Sequence, residues 1–495
     1  MSQPPEESLR SALVATGLAR GLDLGEDEVA DVFYTALLQH VGCTAFAHET
    51  AALLGGDDRA VNAAGAKTNF ADPTDVLRTF LPELTGGADV FRRLRLVTAA
   101  MVRGAKMDQG LPRANCEVAA TMAERLGLGA GVQSSLLQLF EWWNAKGAPR
   151  GLGGDAVALP TRITHVASVA VLFCGLGGVE AALEALRRRS GGCLDPGLVD
   201  AFARAGPDLL AEAAEADAAA AVLAAEPVPV RVVPHRRLAE VARAFGEMVD
   251  LKCPHLHGHS TAVAELGHAA GERLRLAEAA NGSLRLAGFL HDVGRAGVAT
   301  GVWGRPGTLS AGERGQGHLH AYHSERILGR SKTLAPVAAL AGMHHERCDG
   351  SGYHRGTRAG AALPMAARVL AAADVYAALT HERPHRAALP AHAAAEQLAD
   401  QARDGRLDPE AVGAVLAAAG QRPGRMRRDW PAGLTDRQVQ VLRLLASGCS
   451  NREIARRLVT SPRTAEHHVA DIYTKIGVSS RAAAAMFAMR HDLVG

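Results

Sequence analysis

Aromatic residues are scarce in this sequence, with Phe, Tyr and Trp making up 4% of it. Strand-like alternation of Val, Ile and Thr is just as rare, which removes the usual signature of a half-buried sheet. Neither charge dominates: 54 Lys and Arg against 52 Asp and Glu leave a formal +2. No global field draws the chain to nucleic acid, so any such affinity must reside in a local patch. The cysteines are odd in number, seven, and lack the paired spacing of a metal or disulfide framework, which suits a reducing compartment. The opening MSQPPEESLR has no basic-then-apolar leader pattern, and the apolar run after His165 breaks at Gly175–Gly178 before it can cross a bilayer. These absences predict a cytoplasmic protein with no membrane segment. Abundant Ala, Leu, Arg and Glu lose little side-chain entropy in helices, so the fold class expected is all-α. A chain of 495 residues exceeds one ordinary core and implies about three domains.

Two breaks divide the chain. The Ala-rich stretch Ala211–Ala225 runs into Pro227, Pro229 and Pro234, where a helix must stop. A second break after Gly420 carries Arg422, Arg425, Arg427 and Arg428 and reads equally as a solvated linker or a phosphate-contacting arm. The first two segments resemble each other. FLHDVGRAG from Phe289 parallels LLQHVGCTA from Leu37, and HHERCDGSGYHRG from His344 parallels LFEWWNAKGAPRG from Leu139. LDPEAV at Leu407–Val412 parallels LDPGLV at Leu194–Val199. Three matches in one order point to a duplication.

The copies differ where chemistry is concerned. The second contains His259, the doublet His291-Asp292, His320, the doublet His344-His345, and Asp374. Imidazoles and carboxylates in this order suit a multinuclear site for iron, manganese or another first-row divalent ion. Two such ions activate a shared water and neutralise charge on a phosphoryl centre. In the first copy the positions of His291, His320, His344, His345 and Asp374 hold Gln39, Asn115, Leu139, Phe140 and Ser168. Only His40, opposite Asp292, retains a metal-ligating type, so the first copy is expected to keep the scaffold without the chemistry. Isolated histidines such as His235 and His392 read as surface or satisfied residues.

Residues from about Val241 to Gly420 resemble an HD-GYP domain, a subgroup of the HD metal-dependent phosphohydrolases. The matching pieces are GHS at Gly258–Ser260, LHDVGR at Leu290–Arg295, RPGTLS at Arg305–Ser310 and HAYHSERIL at His320–Leu328. HHERCDGSGYHRG at His344–Gly356 and ARVLAAADVYAALTHERPHR at Ala367–Arg386 continue the match. The resemblance implies His259, His291, Asp292, His320, His344, His345 and Asp374 as metal ligands. It also implies cyclic di-GMP or a related nucleotide as substrate. Asp292 and Arg295 are then the candidate catalytic residues, and Tyr353, Arg383 and Arg386 the candidate substrate contacts; Arg383 and Arg386 read equally as a surface turn. The sequence departs from the family at three places. Arg295 stands where the family has lysine, His354 follows Gly352-Tyr353 where the family has proline, and His255 stands where some members have a third-metal glutamate. Arginine forks onto phosphate but is not an equivalent point charge. Two metal ions are expected rather than three.

The segment from Leu434 has short helices with readable starts. Thr435 with Gln438, and Ser450 with Glu453, form capping-box patterns, and Ser461 precedes Pro462 at a first helical position. Leu442, Leu445, Ile454, Ala455, Leu458, Val469, Ile472 and Ile476 recur at helical spacing as a small core. This segment resembles the LuxR-type helix-turn-helix, which implies that the helix from Pro462 enters the major groove. Arg463, Thr464 and Lys475 are expected to contact phosphates, while Glu466 and His467 are better placed for base edges.

The expected organisation is a degenerate HD-like domain over 1–225, an HD-GYP-like domain over 226–420, a linker over 421–433 and a helix-turn-helix domain over 434–495. The expected function is a DNA-binding transcriptional regulator with a metal-dependent phosphodiesterase domain. The alternative is a transcription factor whose HD domain only binds a nucleotide. Either form is expected to act as a homodimer, as LuxR-type domains usually do.

Overall fold

The structure, a computed structural model, describes residues 6–44, 47–54, 58–80, 82, 110–304, 309–358, 362–383, 386–421, 430–491 and 493. Arg305–Thr308 of the RPGTLS motif, Pro384 and His385, and the basic run Arg422–Arg428 lie outside the described residues. The described residues are helical with no strand, their bridges being Ser190 with Leu194 and Arg383 with Arg386. The all-α expectation holds.

The chain packs as two units. One unit comprises Met1–Thr261, Asp292–Ser324 and Arg383–Arg386; the other comprises Ala262–His291, Glu325–Glu382 and Ala387–Gly495.

In the first unit, helices Glu7–Gly21, Glu26–Leu38, Leu159–Arg189 and Pro196–Glu215 bury one apolar core around Leu18, Val32, Ile163, Val166, Phe202 and Leu210. The starts of these helices follow from the sequence. Asp195 accepts the backbone N–H groups of Gly197 and Leu198 and has Pro196 at the first helical position. Leu159–Arg189 is, among the described residues, the one helix long and apolar enough to cross a bilayer by length and composition. The expected break is present as a kink, with Gly178 at a φ of +77°, but the helix resumes to Arg189. Ile163, Val166, Ala167, Ala182 and Leu186 of this helix are core residues of the unit.

In the second unit, helices Glu278–Leu290, Ala335–Ala341, Met365–Thr380 and Pro409–Ala418 pack together. Gly288 lets Glu278–Leu290 cross close to Ala264, whose Cα would stand 2.4 Å from an added Cβ. The terminal helices Asp436–Ala446, Asn451–Arg457, Pro462–Ile476 and Arg481–Arg490 enclose a separate core. Leu442, Leu445, Ile454, Ala455, Val469 and Ile472 are buried in it, with Leu458 and Ile476 at its margin. The caps at Thr435, Ser450 and Ser461 form as expected, the first two as full capping boxes. Trp430, Val439, Val441, Ala484 and Leu493 complete this core and lie outside the periodic run read from the sequence.

Candidate functional site

Three of the candidate histidines share one local construction. The Nδ1 atoms of His291, His320 and His344 lie 2.8, 2.5 and 2.6 Å from the carbonyl oxygens of Gly288, Gly317 and Ala341, each three residues earlier. A carbonyl oxygen only accepts, so each Nδ1 carries the proton and donates it. Each Nε2 therefore carries the lone pair, and the helix backbone fixes both tautomer and ring direction.

In the first unit His259, Asp292, Arg295 and His320 are all buried. The Asp292 carboxylate lies 3.3 Å from His320 Nε2 through Oδ1 and 3.9 Å from His259 Nε2 through Oδ2. Arg295 Nε reaches Asp292 Oδ2 at 2.8 Å, and its guanidinium lies over the Trp303 ring, 4.4 Å from the centroid. Trp303 in turn meets His320 edge-on at 5.3 Å. Gly294 permits the turn that brings these groups together: its N–H donates to Ser324 Oγ at 2.9 Å, and an added Cβ would stand 2.0 Å from the His320 carbonyl oxygen. Burial pushes the Cys253 thiol pKa up, while the charges of Arg295 and Arg383 pull it down. Arg383 and Arg386 exchange backbone hydrogen bonds.

In the second unit Asp374 lies 3.8 Å from His291 Nε2 and 3.5 Å from His345 Nδ1. The His344 ring stands 4.8 Å from that of His291 and 4.0 Å from that of His345, and Tyr353 lies 4.6 Å from His345. Glu346, 1% exposed, accepts the N–H of Arg355 at 2.8 Å and of Thr357 at 2.6 Å, folding the loop that carries Tyr353. His291 and Asp292, the residues that belong to the two sets, are consecutive in the chain.

The segment expected to be a first copy makes local contacts that parallel these. Glu141, 0% exposed, accepts the N–H groups of Arg150 and Leu152 at 2.7 and 2.8 Å, as Glu346 does in its own loop. Arg162 pairs with Asp195 at 2.7 Å as Arg368 pairs with Asp408 at 3.1 Å. An added Cβ on Gly42 would stand 2.0 Å from the carbonyl oxygen of Asn115, the close approach that Gly294 makes to His320. Ser168 donates to the Gln39 side-chain oxygen at 2.7 Å. His40 is exposed. The sequence reading passed over Glu346 and Trp303. An identical glutamate in both copies was the available sign for the first; nothing in the pattern marked the second.

On the terminal helix Pro462–Ile476, Arg463, Thr464, Glu466, His467 and Lys475 are exposed. Lys475 also ties the domain together, donating to the Gly433 carbonyl at 2.7 Å and the Gln438 side-chain oxygen at 2.9 Å. Arg437 donates to the Leu458 carbonyl at 2.6 Å, closing the end of the preceding helix.

Comparison with known proteins completes the picture. Residues 243–411 match the HD domain family, and residues 432–488 match the family described as bacterial regulatory proteins, luxR family. The chain is 31% identical over 425 residues to the 3'3'-cGAMP-specific phosphodiesterase 3 of Vibrio cholerae, covering 85% of this chain and 92% of that protein. It belongs to the HD-GYP phosphodiesterase family. The cyclic di-GMP phosphodiesterase response regulator RpfG of Xanthomonas campestris is 36% identical over 170 residues, covering 33% of this chain and 44% of that protein. The crystal structure of a cyclic GMP-AMP-specific phosphodiesterase of V. cholerae, V-cGAP3, aligns with a TM-score of 0.56 at 28% identity, covering 85% of this chain and 94% of that one. The chain thus joins an HD-GYP domain to a C-terminal LuxR-type DNA-binding domain.

HD-domain phosphodiesterases are metal-dependent, and the side chains of this HD-GYP protein fit that requirement. Two atoms each bound roughly 2.0–2.2 Å from one ion stand ~3–4 Å apart. The imidazole–carboxylate separations of 3.3, 3.5, 3.8 and 3.9 Å fall in that range. They are wider than direct hydrogen bonds, as expected of atoms that meet through an ion. Buried nitrogen and oxygen donors without thiolate suit a first-row divalent metal.

Proposed function

We propose that this protein is a transcriptional regulator whose HD-GYP domain hydrolyses a phosphodiester bond of a cyclic dinucleotide, such as cyclic di-GMP or 3'3'-cGAMP. The observation that carries the reading is the common locking of the His291, His320 and His344 rings, with the Nε2 of His291 beside Asp374 and that of His320 beside Asp292. In this reading His259, His291, Asp292, His320, His344, His345 and Asp374 hold two divalent ions, iron or manganese. Bound there, the ions supply Lewis acidity for a water nucleophile and for the charge on phosphorus. Asp292 also fixes Arg295, whose guanidinium lies over Trp303 and presents a cation to the scissile phosphate. Tyr353 offers a ring for a base to stack on, and Arg383 and Arg386 offer charge to the remaining phosphate.

The organisation proposed is 1–225 degenerate HD-like, 226–420 HD-GYP, 421–433 linker and 434–495 DNA-binding, in a cytoplasmic homodimer. In the terminal domain Arg463 and Thr464 contact phosphates, as Lys475 does beside its structural role, and Glu466 and His467 face base edges.

One observation favours a second reading, in which the HD domain binds the nucleotide without turnover: the family lysine is replaced by Arg295, and Arg295 is committed to Asp292 at 2.8 Å. The test is hydrolysis of cyclic di-GMP and 3'3'-cGAMP by the purified Mn²⁺-loaded chain, alongside its DNA affinity with and without nucleotide. Product formation supports the enzyme. Absence of product with altered DNA affinity supports the sensor, and absence of both removes the coupling between the domains.

A further inference from the structure

The segment 295–304 begins with Arg295, includes Trp303, and is pinned by the degenerate copy. Asp58 starts the helix Asp58–Lys67 of that copy. Its Oδ1 accepts the Thr300 N–H at 2.6 Å, and its Oδ2 faces Lys252 Nζ at 3.4 Å. Lys252 Nζ donates to the Val298 carbonyl at 2.8 Å. Asp58 and Lys252 are each 3% exposed and Thr300 is 0% exposed. At the end of the same segment, the His48 ring lies 3.2 Å from where a Cβ on Gly304 would stand. All of these residues belong to the first packing unit.

A dry ion pair is a poor source of stability, because apolar residues of equal volume hold two segments as well. What it supplies is direction. A carboxylate that bonds a backbone N–H on one side and an ammonium on the other fixes the segment to within a fraction of an ångström. The same segment seats the Arg295 guanidinium on Trp303, and Trp303 against His320. An ångström of misplacement at such a position is enough to lose productive alignment.

We propose that Asp58 is a positioning residue for the nucleotide site: the copy that lost its ligands holds the 295–304 segment, and through it Arg295, in place. The inference rests on the nucleotide-binding reading of the HD-GYP domain but not on whether bound nucleotide is hydrolysed. The first copy is then part of the site's scaffold rather than a detached relic.

The test uses the full Mn²⁺-loaded chain and two double variants that leave no buried charge unpaired. Asp58→Ala with Lys252→Met removes the acceptor for the Thr300 N–H, whereas Asp58→Asn with Lys252→Met keeps it. For the first, amide exchange across 298–304 accelerates and KM, or Kd for 3'3'-cGAMP if there is no turnover, rises by about tenfold or more. Manganese content and overall melting stay those of the second variant. The second variant keeps its exchange rates and nucleotide affinity within about threefold of wild type. Equal exchange and affinity in the two variants overturns the proposal, as does a loss that merely tracks global melting. Should the alanine variant not fold, a tenfold affinity loss in the asparagine variant overturns it and retention supports it. Failure of the enzyme reading shows separately, as absence of turnover in the wild type.

Discussion

The Ser168 hydroxyl donates to the Gln39 side-chain oxygen at 2.7 Å, in the register where the second copy sets Asp374 3.8 Å from His291. A direct hydrogen bond stands where the proposed second copy has a wider imidazole–carboxylate pair. Ser168→Ala is expected to cost about 1 kcal/mol, the net worth of one such bond, in urea denaturation. It should leave phosphodiester turnover unchanged if, as proposed, the N-terminal copy supplies no ligand; a drop in turnover at constant stability would assign Ser168 a role in the site.

Glu141 and Glu346 make a paired test. Each is buried and accepts two backbone N–H groups. Replacing either by alanine orphans two donors at roughly 1–3 kcal/mol each. Both variants should therefore lose similar stability under chemical denaturation. Only Glu346→Ala should also lose nucleotide affinity, because its loop carries Tyr353; equal affinity in the two variants would detach Tyr353 from the substrate.

These pairs show how far the sequence reads. Residue identities alone marked the capping boxes and the HD and LuxR-type motifs, because each is a short pattern with a local cause. The packing units are not local. Asp292–Ser324 joins the first copy through Asp58, Lys252 and Thr300, residues that no periodicity links across 242 positions between Asp58 and Thr300. Lys475 read as a phosphate contact because it is a cation on the outer helix, and its two acceptors, Gly433 and Gln438, come into view only when the chain folds. The break at Gly175–Gly178 was legible from composition, but not the resumption of the helix beyond it.

The terminal domain separates binding from stability. Arg463→Ala should weaken DNA binding in all sequences and reduce the slope of log affinity against log salt by about 1, with its melting unchanged. Lys475→Ala should reduce that slope and also lower domain stability by about 1 kcal/mol. Filter-binding titrations over a salt series, with thermal melts of each variant, distinguish the two. Val459, between the two motif helices, holds a φ of +52° and is 92% exposed. Val459→Gly should stabilise the domain by roughly 1 kcal/mol and leave DNA affinity intact.

Glu7 predicts a pH dependence. Burial raises its pKa from 4.5 to about 7, and among the described residues its Oε2 has no hydrogen-bond partner. The protonated acid is the form the fold favours, so its stability is fully present below the unfolded value near 4.5 and is lost as pH rises toward 7. Glu7→Gln should therefore stabilise the chain at pH 8 and do little at pH 4.5. Denaturation midpoints at the two pH values check it; equal gains at both would assign the effect to packing.

The metal centre is tested most directly by metal content measured together with turnover, in the wild type and in His291→Ala with Asp292→Ala. The expected result is about two manganese or iron ions per wild-type chain with hydrolysis of a cyclic dinucleotide, and loss of both metal and product in the double variant. Unchanged metal content or an undiminished rate in that variant would contradict the assignment.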